Sequence, residues 1–225
     1  MNNTTTTTAG RPAKRVDVRR LVFTALLGAL SIVLANFLKF KVPIMPGFIS
    51  FDFSDMPAML ASLTMGPVSG VLVALIKNLQ GLMVTETGGV GELSNFILSA
   101  SLVLPAGIVA MKTKKLWAII VGCVGGAVLM GLVSIASNYF IMYPAYAAVF
   151  IPKPELSMSD KLDIIVGMYK GLIPALDGSI NGLLDVLVMF NMPFTMVKGL
   201  TAAIISVPLY KRLRPVFNSF YRNEG

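Results

Sequence analysis

Apolar runs dominate this chain, and breaks of Gly, Pro and clustered charge divide them into lengths that suit a membrane. The first runs from Leu21 to Leu38 without a charged residue. About 20 mainly apolar residues carry an α-helix across ~30 Å of hydrocarbon. The run is too long for a signal peptide and lacks a small-x-small cleavage site, so it predicts an uncleaved first span. A second segment covers about Asp55 to Met65, and Gly66-Pro67 separates it, as a tight turn, from a third over Val68 to Val84. The Gly-rich stretch Thr85 to Gly91 leads into a fourth helix over Glu92 to Met111, and the basic loop Lys112 to Lys115 into a fifth from Trp117 to about Tyr143, which Pro144 is expected to end. The last span is expected over about Pro193 to Tyr210.

The stretch Ile164 to Asn191 is apolar on average. Lys170, Pro174, Asp177, Asn181 and Asp185 nevertheless interrupt it too often for a lipid-facing span. It reads as short extra helices in a long extracellular loop, 145–190, lying on or partly in the outer surface of the bundle. Charge decides between six spans and seven. With six, both termini and the 112–115 loop share one side and collect twelve of the nineteen Lys and Arg, with Asp17 and Glu224 the only acids there. A seventh span would send Lys211, Arg212 and Arg214 across the membrane, against the positive-inside bias. The expected fold is therefore an all-α membrane protein, a bundle of six transmembrane helices with both termini cytoplasmic. Its membrane domain is expected over 17–213, between a basic tail, 1–16, with too little to bury to be ordered, and a second tail at 214–225.

Composition narrows the function. Of 225 residues, 55% are hydrophobic and 13% charged, against roughly 25% charged in an average soluble domain. There is no histidine and one cysteine, Cys123, so one chain cannot assemble a Ser-His-Asp triad, a Cys-His dyad, a histidine-held zinc or a disulfide framework. No metal site is expected, and Cys123 reads as a small packing residue. The net charge of +8 sits at the ends of apolar segments, which marks membrane topology and not a nucleic-acid groove. Asp52 and Asp55 are close enough in sequence to suggest carboxylate catalysis, but no recognisable catalytic set accompanies them.

Polar groups at membrane depth carry the most information, because a central lysine costs roughly 2.5 to 3.5 kcal/mol on insertion scales. Lys77 lies within the third helix beside Asn78, and Lys198 lies five residues into the last. Lys198 either donates into an outward-opening pocket or snorkels to the interface. Asn138 and Tyr139 near the outer end of the fifth helix, and Thr195 one turn before Lys198, share that depth. An Asn amide offers two donors and an acceptor to a planar heterocycle, although helix-to-helix hydrogen bonds would use the same groups. Asn95 and Glu92 open the fourth helix. The loop Lys39 to Ser54 carries Met45 and Phe48 among stiffening prolines, a composition that suits either a lid over an apolar ring or interfacial anchoring. Ala25 and Ala29 make a small strip on the first helix, and Ala118, Gly122 and Gly126 a longer one on the fifth. Either strip could pack internally or dock a partner helix.

An ordered set of these motifs resembles one family. The segments Phe51-Asp52-Phe53-Ser54-Asp55-Met56-Pro57-Ala58, Gly66-Pro67, Ile76-Lys77-Asn78-Leu79 and Gly88-Gly89-Val90-Gly91-Glu92-Leu93-Ser94-Asn95-Phe96 are similar to the riboflavin-specific substrate-binding subunits (S components) of energy-coupling factor (ECF) transporters. Asn138-Tyr139-Phe140 and Pro193-Phe194-Thr195-Met196-Val197-Lys198-Gly199 extend the likeness over nearly the whole chain. The resemblance implies a bacterial cell-membrane protein that captures riboflavin from outside as cargo, with no cofactor, in a pocket formed by the first extracellular loop and helices four to six. It implies partnership with a transmembrane coupling protein and two ATPases. On the matching positions it assigns Asn138 to the polar edge of the flavin, Lys198 to a carbonyl or ribityl hydroxyl, and Ala25 and Ala29 to the face toward the coupling protein. Thr195 stands where the family commonly has Asn, and Ala74 or Leu75 where it commonly has Glu.

Overall fold

The computed structural model describes residues 18–47, 49–85, 87–172 and 178–222. The helices are α1 (Val18–Phe37), α2 (Asp55–Met65), α3 (Pro67–Gly81), α4 (Val90–Lys112), α5 (Leu116–Ser137), α6 (Tyr143–Phe150), α7 (Met158–Leu172), α8 (Leu183–Val186) and α9 (Met192–Arg222). Two short strands, β1 (Lys39–Phe40) and β2 (Phe51–Asp52), pair antiparallel, with Lys39 opposite Asp52. The expected disorder of 1–16 and Phe48, a candidate lid residue, lie outside the described residues.

Five helical stretches are long and apolar enough to cross a membrane: Val18–Phe37, Pro67–Val84, Val90–Lys112, Leu116–Phe150 and Leu183–Pro215. Their outer faces carry Leu21, Leu26, Val33, Val121, Leu132 and Ile204 in the open. That is far more exposed apolar surface than a soluble monomer tolerates, and it suits lipid. The expected second span is different. α2 has 11 residues, about 16 Å at 1.5 Å per residue, and nine of them are buried, so it is a core helix enclosed by its neighbours. Gly66, at φ +96, makes the turn from α2 into α3, a backbone conformation that favours glycine.

Close backbone approach holds the bundle together. A Cβ on Gly126 of α5 would collide with the Leu102 carbonyl oxygen of α4, and one on Gly107 would collide with Ser62 Oγ. The Gly122 and Gly126 strip is thus spent on internal packing, the commoner of its two readings. Ser62 Oγ donates to the Val103 carbonyl at 2.6 Å, which satisfies this buried hydroxyl. Cys123 is buried against Met59, in line with a packing role.

Two expectations at helix ends are corrected. Pro144 does not end the fifth helix: α5 passes through a π-turn, Asn138–Met142, and continues as α6 to Phe150. The last helix does not begin near Pro193. It begins at Leu183 and passes through a second π-turn, Leu187–Asn191, into α9, which continues to Arg222 through most of the expected C-terminal tail. Both corrections have one cause. A proline inside a helix lacks the N–H that would bond four residues back. In each case the proline lies two residues after the π-turn, and the wider turn is closed by Tyr143 N–H to the Asn138 carbonyl and by Met192 N–H to the Leu187 carbonyl. The ladder therefore changes register where the proline would have broken it. Of the expected short helices in 145–190, α7 is present with four turns, and α8 is the first turn of the last helix.

Candidate functional site

The alternating direction of the helices brings the C-terminal ends of α1, α3 and α5 together with the N-terminal ends of α2, α4 and α9. A cavity of about 170 Å³ opens at this end, between those helices and the β1–β2 segment. The opposite end gathers basic residues: Arg20 donates to Ser69 at 2.8 Å near Gly66, and Arg214 donates to the Lys114 carbonyl at 3.1 Å.

Four of the candidate ligand-binding residues line this cavity, Asn95, Asn138, Thr195 and Lys198, together with Asp52, Lys77, Asn78 and Glu92. Asn138 and Thr195 are 5% and 6% exposed, and neither side chain makes a hydrogen bond within the described residues. Buried polar groups are normally satisfied, so an amide and a hydroxyl without protein partners at a cavity wall are poised for something that enters it. The alternative of helix-to-helix bonding does not hold for either residue. Tyr139 falls elsewhere: it is 41% exposed and stacks edge-on against Phe140, because residues adjacent on a helical turn point about 100° apart. Met45 lines a neighbouring, mainly apolar hollow of about 610 Å³ with Ile151, Ile165 and Met168, and this hollow shares Thr87 with the cavity. Ala25 and Ala29 are exposed on the outer face of α1, while Gly28 between them packs on Ile76.

Lys198 does not snorkel. It is 5% exposed, and its ammonium lies 3.0 Å from Asp52 Oδ2, 3.5 Å from Asp55 Oδ2 and 3.5 Å from Asn95 Oδ1. Lys77, 5% exposed, donates to Asp55 Oδ1 at 2.5 Å and to Ser54 Oγ at 2.7 Å. Ser54 in turn donates to Asp52, and Ser99 to Asp55. The result is a buried, neutral set of two lysines and two aspartates at the floor of the cavity. The two carboxylates that hinted at acid–base catalysis are thus counter-ions. Burial pushes the Asp52 carboxyl up, but the Lys198 and Lys77 charges and the Ser54 hydroxyl outweigh it and hold the group below the usual carboxylate range.

Local structure explains how this set is held. Pairing of β1 with β2 fixes Asp52, whose Oδ1 also accepts the Ser54 N–H at 2.9 Å in a tight side-chain turn. Asp55 sits in the first turn of α2, where a negative charge complements the helix dipole. Phe40, Phe51 and Phe53 pack on one another, and Phe51 meets Phe194 of α9 edge to face at 5.9 Å. These aromatics anchor the first loop to the last helix. On the far wall, Thr85 and Thr87 donate to Glu92 at 2.8 and 3.2 Å, and Thr87 Oγ accepts the Gly91 N–H at 2.9 Å, so the loop before α4 is tied down by its own side chains.

The chain matches the family model for the substrate-specific component of ECF transporters over residues 19–210. The chain belongs to this family. It is 31% identical to the "Riboflavin transporter RibU" of Staphylococcus aureus over 195 residues, covering 87% of this chain and 90% of that one. It is 29% identical to the "Riboflavin transporter FmnP" of Bacillus subtilis, covering 89% and 94%. A solved S component of a bacterial ECF transporter superposes with a TM-score of 0.62 at 30% identity, over 88% of this chain and 97% of that one. As a substrate-specific component the protein is a membrane transport subunit that binds cargo, and it is not an enzyme.

Sequence reasoning did not assign Asp52, Asp55 or Asn191 to this site. Asp52 and Asp55 were visible, but nothing local told which charges would meet them across 22 to 146 residues. Asn191 also lines the cavity. The signal that could have found it is the repeated proline spacing, which implies a π-turn before Pro193 as before Pro144, and such turns cluster at functional sites.

Proposed function

We propose that this protein captures riboflavin from outside the cell for uptake driven by partner subunits, as an S component of a bacterial ECF transporter. The observation that carries the reading is the pair of buried groups without a hydrogen bond among the described residues, Asn138 and Thr195, at the wall of a cavity that also holds Asn95 and Lys198. A flat ring system with carbonyls and ring nitrogens on one edge repays their desolvation, and its polyhydroxyl tail suits the remaining polar wall. The apolar hollow beside Thr87, with Met45 at its side, suits the hydrocarbon end of the ring. The names of the relatives support the vitamin.

In this reading α2 counts as a sixth helix of one membrane domain spanning 17–213, between the tails 1–16 and 214–225, and both termini are cytoplasmic. Support comes from charge: Arg20, Lys114 and Arg214 gather at the end away from the cavity, which is the cytoplasmic end under the positive-inside rule. The cavity then opens outward. The exposed Ala25 and Ala29 strip is the docking face for the transmembrane coupling protein, which carries the force of two ATPases; riboflavin is cargo and not a cofactor. The test is spectroscopic. Protein purified without added ligand should carry flavin absorption or should quench riboflavin fluorescence saturably, and flavin mononucleotide should compete more weakly. No saturable quenching at micromolar riboflavin would remove the vitamin from the reading.

A further inference from the structure

Beyond the residues already assigned, a three-residue polar cluster reaches from the cavity wall, where Tyr143 and Asn191 stand, to Tyr169 behind it. Asn191 is 5% exposed and ends the second π-turn. Its Oδ1 accepts from Tyr169 Oη at 2.9 Å and from Tyr143 Oη at 3.0 Å, and the two hydroxyls also touch each other. Tyr143 and Tyr169 are both fully buried. Tyr169 comes from α7 and does not line the cavity, whereas Asn191 and Tyr143 do.

The arrangement fixes which way the amide points. With Oδ1 toward the tyrosines, both hydroxyl protons find an acceptor. With the amide turned over, Nδ2 would donate to the tyrosine oxygens, and Oδ1 could accept neither of the hydroxyl protons that it takes here. The Nδ2 group accordingly lies on the branch away from the tyrosines, toward the cavity, and makes no hydrogen bond within the described residues. Asn138 can turn its amide either way, but Asn191 is locked as a donor.

We propose that Asn191 is a specificity-determining binding residue that donates to a carbonyl oxygen or ring nitrogen of the cargo, and that Tyr143 and Tyr169 are positioning residues that set its orientation. The proposal rests on the reading of the cavity as a riboflavin site. It also gives α7 a part in selectivity, because Tyr169, which does not line the cavity, holds the orientation of an amide that does.

The test uses full-length protein in detergent, riboflavin as the probe, and analogues in which one ring nitrogen is replaced by C–H. Asn191→Leu should weaken riboflavin binding by about tenfold or more, the order expected for one lost buried hydrogen bond. At least one analogue should bind the parent protein more weakly yet lose nothing further on Asn191→Leu, because the bond is already gone. The pair Tyr143→Phe/Tyr169→Phe keeps both rings and frees the amide. It should weaken riboflavin severalfold in the parent background and have no effect on top of Asn191→Leu. Riboflavin affinity within twofold of the parent in Asn191→Leu overturns the proposal, as does an equal loss from the Phe pair in both backgrounds, which would mean packing alone. If Asn191→Leu does not fold, unchanged riboflavin affinity in the Phe pair overturns the proposal by itself. Parent protein that binds no flavin fails the riboflavin reading first, and that result is distinct from a binding parent with an indifferent Asn191.

Discussion

Replacing Lys198 with methionine is the sharpest perturbation of the cavity floor. The side chain keeps its approximate length and loses its charge, so the neutral set of two lysines and two aspartates is left with one uncompensated negative charge. Asp52 loses a partner at 3.0 Å and Asp55 one at 3.5 Å, both in a place with almost no access to water. Breaking a buried pair from one side costs about 3 to 5 kcal/mol. At roughly 2 to 4 °C per kcal/mol for a chain of this size, Lys198→Met should lower the melting temperature by about 10 °C. Lys198→Met/Asp52→Asn restores neutrality and should recover at least half of that loss. The protein contains its own reporter: Cys123 is the only cysteine and is 1% exposed, so a fluorogenic thiol dye in detergent reads unfolding directly. A single variant that melts within about 2 °C of the parent would refute the reasoning, and so would a double variant no better than the single. Riboflavin affinity on the same pair separates two roles of Lys198. Recovery in step with the melt marks a counter-ion, and persistent loss marks a direct donor to the ligand.

Asn138→Leu should weaken riboflavin binding about 10- to 100-fold, the worth of one or two buried hydrogen bonds, and should leave the ligand-free melt unchanged, because the amide has no partner to lose among the described residues. Gly126→Ala forces a Cβ against the Leu102 carbonyl and should destabilise the bundle by about 1 to 3 kcal/mol, whereas Gly125→Ala, with open space around it, should be silent in the same thiol-dye melt. Ala25→Trp should leave riboflavin binding intact and abolish co-purification with the coupling protein; retained assembly would release α1 from that role. Asp52 is held below its usual range, so its contribution is fully present above the unfolded value of about 3.9 and is lost as pH falls through the folded value. Melting temperature should therefore hold from pH 7 to about 4 and decline below that, and Asp52→Asn should make the decline shallower.

The chain's own pattern of apolar runs determined the membrane environment, the central part of each of the five long helical stretches and the Gly66-Pro67 turn, because a bilayer demands one feature, sustained apolarity, that is local in sequence. It also singled out Asn95, Asn138, Thr195 and Lys198, since polar groups stand out in an apolar background and helical depth is countable by residue. Tertiary structure decided what each of these groups meets. The pairing of Lys198 with Asp52 joins residues 146 positions apart, and no local rule selects it over a snorkelling lysine. The two proline positions were plain to read, yet whether each would stop a helix or widen it depended on packing that kept the chain helical on both sides. α2 reads as a span by composition, and only the packing shows that its neighbours bury nine of its eleven residues. Apolarity is a property of residues and is written along the chain; the cancellation of buried charge is a property of pairs, and it exists only once the helices have met.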